Sequence, residues 1–154
     1  KYWDKMWRIH NNINTVIISI DAGTEETYDK VRCGGSWSAL MNNLESISLL
    51  RQQNLINELR LDFCIQKENY KEIPLMAQLG VSNKADKVYF SRITDWNTFW
   101  TGGRMGEGEN KFKEHDIFDT EHPDHDDFLE VVGSSELEHE CIDLGNIAGY
   151  RHAH

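Results

Sequence analysis

Apolar and polar positions along the first two thirds of the chain predict alternating strands and helices. Val16-Ile17-Ile18-Ser19-Ile20-Asp21-Ala22-Gly23 is a β-branched run that carries a Ser and an Asp to its carboxyl end before a Gly turns the chain. It predicts a strand over 15–20, preceded by the end of a helix at Tyr2-Trp3-Asp4-Lys5-Met6-Trp7. Trp37, Leu40, Met41, Leu44 and Ile47 recur at helical spacing, with Ser36 as N-cap. Residues 59–65 alternate apolar and polar and predict a second strand. Asn69-Tyr70-Lys71-Glu72 has the form of a capping box, opening a helix whose first turn Pro74 bends or tightens and which stops at Gly80. A third strand is expected over 86–93.

Strand–helix–strand–helix–strand order implies parallel strands with right-handed crossovers. Ligands of such folds gather at the carboxyl ends of the strands, where Ser19 and Asp21 fall on one strand face. Three parallel strands make a poor free-standing sheet, since both faces and most edges of such sheets are normally covered.

Charge divides the chain unevenly. Residues 1–105 hold 13 Lys+Arg against 12 Asp+Glu, a net of +1, whereas 106–154 hold 3 against 14, a net of −11, together the overall −10. The composition breaks at Thr101-Gly102-Gly103-Arg104. The expected organisation is therefore an α/β part over 1–101 and an acidic, mostly irregular extension over 102–154. In that extension Phe128, Leu129 and Val132 mark a short helix after Pro123. An acidic tail repels phosphates and argues against non-specific nucleic-acid binding. No apolar run approaches the roughly 20 residues that span a bilayer, so no membrane partner is expected. Three widely spaced cysteines, Cys33, Cys64 and Cys141, form no disulfide framework and suit a reducing, cytoplasmic setting. A first residue of Lys rather than Met reads as a piece processed or excised from something longer.

The ordered set Ile18-Ser19-Ile20-Asp21, Tyr28-Asp29-Lys30-Val31-Arg32-Cys33-Gly34-Gly35-Ser36-Trp37 and Asn43-Leu44 resembles the middle of a radical S-adenosylmethionine enzyme. Gln66, Asn69-Tyr70-Lys71-Glu72-Ile73 and Leu79-Gly80-Val81 continue the resemblance in order, over residues 13–96. The branch it most resembles often carries a C-terminal SPASM or twitch extension. His122-Pro123 through Phe128-Leu129 and Leu144-Gly145-Asn146-Ile147 look like the stretch leading toward such an extension.

The resemblance implies a partial TIM-like barrel in which this chain supplies roughly the last half of the parallel strands. It implies S-adenosylmethionine and a four-iron–four-sulfur cluster as cofactors of the parent enzyme, and a peptide or small-molecule substrate. The cluster ligands, a CxxxCxxC loop, do not occur in this sequence, so the isolated chain is expected to be inactive. Such a loop would fall roughly 80–120 residues before Ser19, about three βα units upstream. The implied partner is the missing half-barrel, or a second copy at an exposed sheet edge.

The resemblance places Ser19, Asp21, Arg32, Gln66 and Phe90 at the cofactor. A hydroxyl and a carboxylate at Ser19 and Asp21 suit ribose hydroxyls or the amino-acid end of the cofactor; otherwise Ser19 packs and Asp21 caps the turn. The Arg32 fork suits a carboxylate, or an ion pair with Asp29 or Glu26. Asn69 reads chiefly as an N-cap. Tyr89, Phe90 and Ser91 flank an adenine or join the core, and Trp96 and Trp100 serve as apolar anchors or line the mouth. Gly34-Gly35 serves the backbone between helices, since no P-loop or GxGxxG pattern surrounds it. His122, His125 and Asp126 have zinc-ligand chemistry, but a His-Pro turn before a short acidic helix explains the same residues. Two other readings stay open: a non-catalytic binding module, and an unrelated aldolase-like barrel. The latter needs a metal site at a strand end or a Schiff-base lysine, for which Lys67 is the only nearby Lys and lacks an evident perturbing environment.

Overall fold

A computed structural model of the chain describes residues 2–5 and 7–152. The chain begins with helix α1 (Tyr2–Lys5) and a 3-10 segment, Trp7–Asn12. Met6, within the expected first helix, lies outside the described residues. There follow strand β1 (Thr15–Ser19), helices α2 (Glu25–Val31) and α3 (Trp37–Gln52), strand β2 (Glu58–Ile65), helix α4 (Ile73–Ser82) and strand β3 (Lys87–Arg92).

All strands run parallel in the order β1-β2-β3-β4, where β4 is Ile142–Asp143. The protein is thus α/β with a four-stranded parallel sheet that does not close on itself. The fourth strand, missed by sequence pattern, comes from the acidic extension. It is two residues long, too short for any periodicity, and is held by the Val88 N–H donating to the Cys141 carbonyl at 2.8 Å.

The expected mostly irregular extension is corrected in the same way. It carries α5 (Phe112–His115), α6 (His125–Val132), a 3-10 turn at Ser135–Glu138, and a 3-10 segment at Gly145–His152. Phe118, Phe128, Val132, Leu137 and Ile147 share one buried cluster with Leu59, Leu61, Phe63, Val88 and Phe90 of the sheet. Burying apolar side chains of this size stabilises by about 1.5–3 kcal/mol each, so this segment has its own stake in the core.

Local chemistry explains α2 and α3. Thr24 and Ser36 cap them, accepting the N–H groups of Thr27 and Ala39. Around α4 the sequence expectation fails twice. The Asn69 side chain makes no cap hydrogen bond, and Tyr70–Glu72 forms a 3-10 turn before the helix begins at Ile73, with Pro74 in its first turn. Nor does the helix stop at Gly80, since it continues to Ser82. Gly80 is a packing residue, because a Cβ there would collide with the Val88 side chain.

Two faces of the sheet follow from strand alternation. Leu59, Leu61, Phe63 and Ile65 of β2 are buried against the helices, whereas Glu58, Arg60, Asp62 and Cys64 on the other face are half-buried. Register aligns Ile17 with Arg60, Ser19 with Asp62, Asp62 with Tyr89, Cys64 with Ser91, and Tyr89 with Asp143. The second face is therefore polar on β2, β3 and β4 and mixed on β1, where Ile17 lies between Thr15 and Ser19, and it is open: Ile17 is 54% exposed.

Candidate functional site

The open face ends at a polar rim formed by the carboxyl ends of the strands, and Asp21 organises it. The backbone of Asp21 is left-handed, φ 57°, a conformation Asp tolerates better than most residues. That turn points the carboxylate across to β2, where Oδ1 accepts the Cys64 N–H at 2.7 Å. The other oxygen pairs with the Arg32 guanidinium at the C-terminal end of α2. Asn69 completes the node, its side-chain amide donating to the carbonyls of both Asp21 and Cys64 at 2.9 Å. The Asn69 amide oxygen in turn accepts the Gln66 N–H at 2.8 Å.

Electrostatics at the node are set by burial. Desolvation pushes the Asp21 carboxyl above its ordinary value, against the Cys64 N–H and Arg32, which favour the ionised form; the nearby Asp62 adds to the rise. Burial likewise raises the Cys64 thiol, helped by the Asp21 charge and opposed by a hydrogen bond with Ser91. Cys64 is therefore a protonated thiol at neutral pH rather than a nucleophilic thiolate.

Beneath the rim the open face is lined with ions that neutralise one another. Arg60 pairs with Asp62 on its own strand and stacks over the Tyr89 ring, 4.3 Å from its centroid. Lys87 meets Asp143 of β4 at 3.0 Å. The arrangement suits a polar, partly wet wall rather than a face awaiting a second helical layer, whose strands would be apolar on both sides.

The rim residues expected from the sequence divide into three groups. Ser19 and Gln66 have side chains that make no hydrogen bond within the described residues, and Ser19 is exposed. Asp21 and Arg32 come together as an ion pair with each other, not with Asp29 or Glu26. Even so, the buried Arg32 Nε has no acceptor. Phe90 is corrected: it is wholly buried, packed on Phe63 with ring centroids 5.6 Å apart, on the helical side of the sheet. Its neighbours Tyr89 and Ser91 hold the open face instead.

Trp96 is 78% exposed, and the indole N–H of half-buried Trp100 is inaccessible and unpaired. Lys67 is exposed and so lacks the desolvation that activates a Schiff-base lysine. His122 Nδ1 accepts the Asp124 N–H at 3.1 Å, and His125 Nδ1 lies 2.9 Å from the Ile117 carbonyl, so both are occupied holding the turn before α6.

Sequence reasoning missed two contributors. Cys64 lies two residues beyond Asp62 on the same strand, so its alternation already placed it on the polar face. Glu72 looked like half of a capping box for its own helix. Its carboxylate instead reaches the start of α2, accepting the Gly23 N–H at 2.6 Å and the hydroxyls of Thr24 and Thr27 at 2.6 and 2.7 Å.

The donor set does not fit an iron–sulfur cluster. Cys33 is exposed, Cys64 half-buried on β2 and Cys141 buried before β4, and no three His, Cys, Asp or Glu side chains converge on a metal position among the described residues. The rim does fit the amino-acid or ribose end of a small molecule. Ser19 and Gln66 are free, and the Arg32 side chain is 38% exposed although its Nε is buried. No protein-family model, no curated protein and no solved structure matches the chain.

Proposed function

We propose that this chain is the cofactor- and substrate-facing wall of a radical S-adenosylmethionine-type enzyme, a partial TIM-like barrel that is inactive as an isolated chain. One observation carries the reading: the open face of the parallel sheet is polar and ion-paired across β2, β3 and β4, and it ends in the Asp21–Arg32 pair beside the carboxyl ends of β1 and β2. A doubly wound sheet would carry apolar residues there, whereas the inner wall of a barrel that surrounds a polar ligand would not. Arg32, whose side chain is 38% exposed beside Asp21, is assigned through its guanidinium NH2 groups to the carboxylate of S-adenosylmethionine, with Ser19 and Gln66 at its polar groups. The radical chemistry belongs to the parent enzyme, because the cluster ligands are not in this chain. The missing half-barrel is the partner assigned to the open edge at β1.

A second reading is favoured by the same donor set. A non-catalytic binding module needs only the rim and no cluster thiolates.

Equilibrium dialysis of the full chain against S-adenosylmethionine tests the proposal. Expected is saturable binding, weakened by Arg32→Ala and by Ser19→Ala. No binding, or binding indifferent to both substitutions, would overturn it. Anaerobic 5′-deoxyadenosine formation by the chain joined to a cluster-bearing half would then separate the catalytic reading from the binding module.

A further inference from the structure

We draw no further inference here: the strongest candidate, the groove of about 610 Å³ between the C-terminal half of α4 and the Ser135–Glu138 turn, with Ala77 and Val81 at its floor and Glu136 and Glu138 along one side, carries nothing, because nothing in the structure shows what covers it.

Discussion

The Asp21 carboxylate accepts the backbone N–H of Cys64 at 2.7 Å, so the turn after β1 is locked to the last residues of β2. The same side chain holds Arg32, which ties the end of α2 to that junction. Asp21→Ala should destabilise by about 2–4 kcal/mol, because it strands both a half-buried N–H and a guanidinium. Asp21→Asn should cost less, since it retains an acceptor and tolerates the left-handed backbone. Urea unfolding of the two variants checks the order. Burial raises the Asp21 carboxyl, so the folded chain holds that proton longer than the unfolded one, and ionisation costs stability as pH rises through this window. The deficit of Asp21→Asn should therefore shrink as pH climbs above the ordinary carboxylate range.

Glu72 caps a helix that is not its own. Replacing it with Ala removes the acceptor of the Gly23 N–H and of two threonine hydroxyls, and should cost about 2–3 kcal/mol. Amide exchange would accelerate first at Gly23 and Thr24. Uniform acceleration across the sheet would argue against a local cap.

Gly80→Ala sets helix propensity against packing. Ala favours a helix interior by roughly 0.5–1 kcal/mol over Gly, yet its methyl would meet Val88. Overpacking costs about 1–3 kcal/mol, so a net loss of stability is expected. Adding Val88→Ala should recover part of it. A thermal melt that rises with Gly80→Ala alone would show that the helix moves away from the strand.

Asp86 holds Arg51 through two bonds of 2.7 and 2.8 Å and accepts the Leu59 N–H at 2.8 Å. The Arg51 bonds, chiefly, keep its carboxyl below the ordinary value. Its stabilisation is present above the unfolded carboxyl's pKa and is lost as pH falls through the lower folded one. Asp86→Asn should cost about 1–2 kcal/mol at neutral pH. That difference from the parent chain should vanish in acid, as equilibrium unfolding across pH would record.

What the sequence determined by itself is the local part. β-branched runs, period-two alternation in β2 and the helical spacing after Ser36 specify elements through contacts a few residues apart, and they yielded the α/β order and the parallel strands. They also brought Ser19 and Asp21 to one strand end. Only the tertiary structure decided what those residues touch. Arg32 turns to Asp21 rather than to Asp29 or Glu26, Phe90 takes the buried face because strand alternation and the Phe63 contact leave it no other, and Glu72 leaves its own helix for α2. The acidic extension was the least legible, because β4 is too short to show a period and is recruited by the unpaired edge of β3. Its Phe118, Phe128 and Ile147 belong to a core whose other members lie tens of residues away, and burial against such partners is a property of the packed chain that no local pattern encodes.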